Sequence, residues 1–115
     1  MTKLLSVVET PAYLSKASKL LDENERAAVV DMIAAAPNLG VVMRGTGGLR
    51  KMRIPLMGRG KRGGGRIIYW FHSDGFPAVL LWIFAKNEAA DLTNEQRIRL
   101  AAVANALLAD FGGRR

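Results

Sequence analysis

Eight cationic side chains fall between residues 44 and 66, and no carboxylate lies among them. They are Arg44, Arg50, Lys51, Arg53, Arg59, Lys61, Arg62 and Arg66. This stretch carries a charge of +8, whereas the whole 115-residue chain carries +7, so the charge is concentrated in one segment. Blocks of like charge repel one another unless a polyanion neutralises them, and phosphate backbones are the commonest polyanions. The pattern predicts a nucleic acid as the first partner to test.

The rest of the composition excludes several other kinds of site. The chain has no cysteine and one histidine, His72, so disulfides, thiolate nucleophiles and the common zinc sites are excluded, and we expect no metal and no cofactor. The longest apolar run, residues 78–85, is too short to cross a bilayer. Half of the residues are hydrophobic, which is enough for a core. We expect a soluble, cytoplasmic protein with a single domain over residues 1–115 and no membrane association.

Periodicity predicts the elements that position these cations. Thr10 and Pro11 are a cap and a first helical residue, Asp22 starts a second helix that Pro37 ends, and Thr93 starts a third. The predicted strands are residues 4–9, 49–54, 66–72 and 78–86, with the last of them central, whereas residues 39–48 and 56–65 are predicted to be irregular. The fold class is therefore α/β (α+β): two N-terminal helices on a small antiparallel sheet, plus a C-terminal helix.

Hairpin pairing brings some of the cations together. If the loop after Pro55 closes one hairpin, Arg53 lies beside Arg66; if a turn at residues 73–76 closes the next, Arg66 lies near Ala85 and Lys86. Directly opposed like charges destabilise a sheet, so the cluster points to an anionic ligand. The alternative is that these are separate, solvated side chains at strand ends.

Three runs resemble the RelE/HigB toxins of bacterial type II toxin-antitoxin systems, most closely a HigB-type branch: residues 45–53 (GTGGLRKMR), residues 58–69 (GRGKRGGGRIIY), and residues 84–88 (FAKNE) followed by Asp91 and Leu92. The resemblance covers nearly the whole chain. It implies a RelE-like fold and ribosome-dependent endoribonuclease activity on mRNA. It also implies two kinds of partner, namely a cognate antitoxin, which we expect to have a DNA-binding domain, and the ribosome with its mRNA.

The residues suit the chemistry that this resemblance implies. Metal-free RNA cleavage proceeds by attack of a ribose 2′-OH on the adjacent phosphate, so it needs a proton acceptor and stabilisation of the charge on phosphorus. Arginine matches phosphate oxygens with its planar fork, and neighbouring cations disfavour the charged form of a lysine, which brings it closer to acting as a base. The resemblance places Arg66 and Lys86 at the catalytic centre with Lys51 and Arg53 in support. We expect RNA or ribosome contacts from the other cations, which are Arg44, Arg50, Arg59, Lys61 and Arg62.

Some assignments stay open at this point. RelE toxins have a tyrosine near the C-terminus that stacks on a base, whereas this chain has none after Tyr69, so Tyr69 and Trp82 are the candidates. Asn87, Glu88 and Asp91 either orient Lys86 or solvate the loop. Two other functions also fit a basic domain: inhibition of DNA gyrase, as in ParE-like relatives, and nucleic-acid binding without cleavage.

Overall fold

The computed structural model describes residues 5–56 and 64–112, which form three helices and one sheet of five strands. In chain order the elements are β1 (Val7–Glu9), α1 (Pro11–Leu20), α2 (Glu23–Ala35), β2 (Val41–Val42), β3 (Leu49–Ile54), β4 (Gly65–Trp70), β5 (Ala78–Ala85) and α3 (Asn94–Gly112). The predicted α+β class, with two N-terminal helices and a C-terminal helix, is confirmed. Within the described ranges, no helix has the length and apolarity needed to cross a membrane.

The helices begin at the predicted caps. The Thr10 hydroxyl accepts a hydrogen bond from the Tyr13 N–H, and Pro11 occupies the first helical position, where no donor is lost. Asp22 and Glu25 form a reciprocal capping box for α2, with both bonds at 2.8 Å. Thr93 and Gln96 form the same arrangement at the start of α3. Short polar side chains therefore satisfy the first free N–H groups of all three described helices.

The sheet order is β1-β5-β4-β3-β2, which corrects the sequence prediction in three respects. The middle strand is β4 and not β5; β5 is highly apolar because helices cover both of its faces. The sheet is not wholly antiparallel, since β1 pairs with β5 in parallel. The segment predicted to be irregular contains β2, whose two β-branched valines pair with β3 at the sheet edge.

The two hairpin registers differ in how well the sequence predicted them. Arg53 pairs with Arg66, as predicted from the loop after Pro55. In the other hairpin Arg66 pairs with Phe84 and not with Ala85 or Lys86. The register shifts again between Ile68 and Tyr69, where β5 has one extra residue. The turn between β4 and β5 is centred about one residue earlier than predicted, since Trp70 pairs with Val79 and not with Leu81. The bulge then reduces the difference from two positions beside the turn to one position at Arg66.

Hydrophobic clusters lie on both faces of the sheet. On one face α1 and α2 cover β3, β4 and β5, with Tyr13, Ile33 and Ile67 fully buried. On the other face α3 packs through Ala104 and its neighbours against Leu49 and Trp70. This second face contains the residues of the candidate site.

Candidate active site

Three of the predicted catalytic residues share one face of the sheet. Arg53 and Arg66 are directly opposed across β3 and β4, and Lys51 pairs with Ile68 one step along the same face. Alternation along β3 puts Lys51 and Arg53 on the side of Leu49, which belongs to the cluster under α3. We call the surface formed by Lys51, Arg53 and Arg66 the basic face. Arg53 is exposed, whereas Lys51 and Arg66 are partly buried, so anions have access from solvent.

Lys86 lies at the end of this surface, directly after β5. Its N–H donates to the Gly64 carbonyl at 3.0 Å, which extends the β4–β5 ladder by one residue. Lys86 is therefore a diagonal neighbour of Arg66, at a typical separation of about 7–8 Å. Gly64 permits this arrangement because its φ is +65° and a Cβ there would lie 2.4 Å from the Ile54 carbonyl oxygen.

The loop between β5 and α3 holds the ammonium groups of both lysines. Lys51 Nζ donates to Asp91 Oδ2 at 3.1 Å, and Lys86 Nζ donates to the Ala90 carbonyl at 3.0 Å. Asp91 Oδ1 accepts from the Leu92 N–H at 2.8 Å, which fixes the carboxylate. The sequence left two roles open for Asp91, namely to orient Lys86 or to solvate the loop. The structure shows a different contact, because the Asp91 carboxylate pairs with Lys51 and not with Lys86.

The electrostatics of Asp91 follow from these contacts. Burial alone would raise the pKa of this carboxyl, but the Leu92 N–H, the Lys51 ammonium and the charge of Arg97 together lower it below the ordinary value for aspartate. Asp91 therefore stays ionised at neutral pH and keeps a negative charge beside the basic face. Glu88, in the same loop, accepts a hydrogen bond from the Ala85 N–H at 3.1 Å.

Two further cations lie away from this cluster. Arg44 is exposed in the segment after β2. Arg50 is on the opposite face of β3, and its Nη1 donates to the Gly40 carbonyl at 2.8 Å. That contact makes Arg50 an anchor for the chain that leads into β2. The other predicted RNA-contacting residues, Arg59, Lys61 and Arg62, lie outside the described residues.

The structure separates the two candidates for base stacking. Tyr69 is 0% exposed, and its hydroxyl donates to the Pro37 carbonyl at 2.7 Å and accepts from the Gly40 N–H at 2.8 Å. Burial raises the pKa of this hydroxyl, and the hydrogen bond from the Gly40 N–H lowers the pKa by a smaller amount. Its ring therefore cannot reach a base without unfolding of this region. Trp82 is partly exposed, with Lys16 Nζ 5.6 Å from the ring centroid.

Sequence reasoning missed Arg97. This residue is in the first turn of α3, where its guanidinium donates to the Arg44 carbonyl at 2.7 Å and helps to lower the pKa of Asp91. A cation in a first helical turn opposes the helix dipole. That unfavourable position was the available signal that Arg97 has a partner elsewhere in the fold.

The arrangement of helices and strands defines a class: the chain has the RelE fold. The E. coli toxin RelE, solved in the free state as a mutant with two arginines replaced by alanine, superimposes with a TM-score of 0.58 at 11% identity. The match covers 84% of this chain and 97% of that chain. No protein-family model matches the chain. At this identity the likeness establishes the fold alone.

Proposed function

We propose that this chain is a HigB-like toxin of a type II toxin-antitoxin system, an endoribonuclease that cleaves mRNA on the ribosome and thereby inhibits translation. The observation that supports this most directly is the opposed pair Arg53 and Arg66 on an accessible sheet face, with Lys51 and Lys86 beside it. Like charges opposed across a ladder destabilise a fold. A bound phosphate that gains charge during a reaction gives such a pair a function.

The four residues have three roles in the proposed reaction. Arg66 contacts the non-bridging oxygens of the scissile phosphate and stabilises the charge that develops as the 2′-OH attacks. Lys86, the diagonal neighbour of Arg66, accepts the 2′-OH proton as a neutral amine and so becomes the ammonium ion. Arg53 and Lys51 hold the adjoining phosphates. The reaction forms a bond between the 2′-oxygen and phosphorus and breaks the bond to the 5′-oxygen, which takes a proton from solvent water. It leaves a 2′,3′-cyclic phosphate and a 5′-hydroxyl, and it needs no metal or cofactor.

The partners follow from this reaction and from the fold. RelE, whose fold the chain shares, is a toxin. A cognate antitoxin with a DNA-binding domain is the partner that would silence the enzyme. The ribosome and mRNA would be its targets in the cytoplasm. The proposed RNA or ribosome contacts are Arg44, Arg50, Arg59, Lys61 and Arg62. Contacts of this kind with phosphates position a substrate without reading its sequence.

Primer-extension mapping of cellular transcripts after brief expression tests the proposal. We expect new 5′ ends within translated regions for the parent. The cleavage rate of Arg66→Ala should be lower by about a hundredfold or more, since removal of one charge-stabilising group commonly raises the activation free energy by ~3 kcal/mol. Arg99→Ala is the matched control, because Arg99 pairs with Glu95 on the exposed side of α3 and its loss changes the net charge equally.

Two outcomes would overturn the proposal, and a third would change its catalytic residues. DNA damage or stalled replication without transcript cleavage would indicate a gyrase inhibitor of the ParE type. RNA binding without cuts would indicate a non-catalytic module. Unaltered cleavage by a folded Arg66→Ala protein would remove Arg66 from the site.

A further inference from the structure

One short segment of the β5–α3 loop occupies both lysines of the proposed site. The Asp91 carboxylate accepts from Lys51 Nζ, and the adjacent carbonyl of Ala90 accepts from Lys86 Nζ. Both acceptors are oxygen atoms within about 3 Å of an ammonium group, as the oxygens of a bound phosphate would be. The loop therefore presents to the two lysines the kind of atoms that an RNA phosphate presents.

The Asp91 carboxylate is suited to this position for two reasons. Its Oδ1 atom accepts a hydrogen bond from the Leu92 N–H at 2.8 Å. This bond orients the carboxylate, so that Oδ2 faces Lys51 even before the lysine binds it. Its lowered pKa keeps the negative charge in place at neutral pH. The contact is also half exposed, with side-chain exposures of 33% for Lys51 and 50% for Asp91, so an anion from solvent can reach it.

We propose that Asp91 is an internal competitor of the substrate: its carboxylate occupies Lys51 in the free protein, and an RNA phosphate must displace it before Lys51 contacts the substrate. This inference rests on the proposed function, because it takes an RNA phosphate as the displacing anion. Exposed ion pairs are weak, so displacement is possible at a modest loss of affinity, corresponding to a factor of about two to five.

The proposal makes a quantitative prediction about salt. If Asp91 no longer holds Lys51, the free protein offers one more unpaired cation to the RNA. Lys51 contacts the same phosphate in both complexes, so the parent and Asp91→Asn differ only by the ion pair that the parent must break, and salt weakens that pair. Asp91→Asn should therefore bind RNA about two- to fivefold more tightly at low salt, and this advantage over the parent should shrink as the salt concentration rises.

Binding of a short 2′-O-methyl RNA oligonucleotide, which lacks the attacking hydroxyl, measures this effect without cleavage. The matched control is Asp74→Asn, since Asp74 is exposed in the turn before β5 and its loss changes the net charge equally. Asp91→Glu keeps the carboxylate and should stay near the parent. In a Lys51→Gln background, Asp91→Asn should have no further effect on the salt dependence, because the cation it releases is gone.

The outcomes separate this proposal from the proposed function. If the parent binds the oligonucleotide and Asp91→Asn behaves like Asp74→Asn, the competition is refuted while the RNA-binding function stands. If Asp91→Glu changes as much as Asp91→Asn, the effect is one of loop geometry and the proposal is again wrong. If the parent does not bind RNA at all, the proposed function fails, and this inference fails with it.

Discussion

Replacing Arg53 by glutamine should stabilise the fold while it weakens RNA cleavage. Arg53 and Arg66 are direct cross-strand partners, so their β-carbons are about 5 Å apart and their guanidinium groups repel. At a separation of ~8 Å the repulsion is about 0.5 kcal/mol in water and ~2 kcal/mol at an effective dielectric constant of 20. Because Arg53 is exposed, the lower figure applies, reduced further by salt.

We therefore expect Arg53→Gln to raise the free energy of unfolding by about 0.5 kcal/mol, or roughly 2 °C in Tm for a domain of this size. The gain should grow as the ionic strength is lowered. Thermal melts at several salt concentrations measure it, and a purified cleavage assay measures the loss of activity.

Arg44→Gln is the control for this experiment, since Arg44 is exposed outside the β3–β4 ladder and its replacement changes the net charge equally. An equal gain in the control would show a general effect of net charge. A loss of stability in Arg53→Gln would show that the opposed arginines are not repulsive, and the physical reasoning about the site would be wrong.

Three further predictions concern the rest of the chain. Tyr69→Phe removes two hydrogen bonds and should cost about 1–3 kcal/mol in chemical denaturation, whereas Tyr13→Phe should cost little, because the buried Tyr13 hydroxyl has no hydrogen-bond partner among the described residues. The lowered pKa of Asp91 means that its contribution to stability is present above the ordinary aspartate pKa and is lost as the pH falls through the lowered value; the Tm difference between parent and Asp91→Asn, followed from neutral to acid pH, should shrink accordingly. Simultaneous replacement of the three cations between Leu56 and Gly64 by alanine should weaken ribosome binding and flatten its salt dependence without moving the cleavage positions, and a shifted pattern would assign that segment to the catalytic centre. That triple change is made at Arg59, Lys61 and Arg62.

Local signals were sufficient for much of the fold. Polar caps beside prolines or glutamates gave the helix starts, because the free N–H groups of a first turn need nearby acceptors. Pro55 and the glycines after it gave the β3–β4 register, and with it the pairing of Arg53 with Arg66. These features depend on residues close in sequence or on one hairpin.

Features that depend on distant parts of the chain were not predictable in the same way. The parallel pairing of β1 with β5 joins segments about 70 residues apart, and no local pattern specifies it. The contact between Lys51 and Asp91 spans 40 residues, and that between Arg97 and Arg44 spans 53. Both side-chain contacts depend on where the β5–α3 loop and the start of α3 lie relative to β3, and the packing of the core determines that position.

The central claim, that the basic face cleaves RNA through the 2′-OH, is tested most directly by cleavage of end-labelled mRNA on purified ribosomes. One substrate is all-ribose, and the other has a single 2′-deoxy nucleotide on the 5′ side of the mapped cut. We predict cleavage of the first by the parent, little by Arg66→Ala, and none of the second at that position. Cleavage of the deoxy substrate at the same bond would contradict the account, because no 2′-OH would be there to attack.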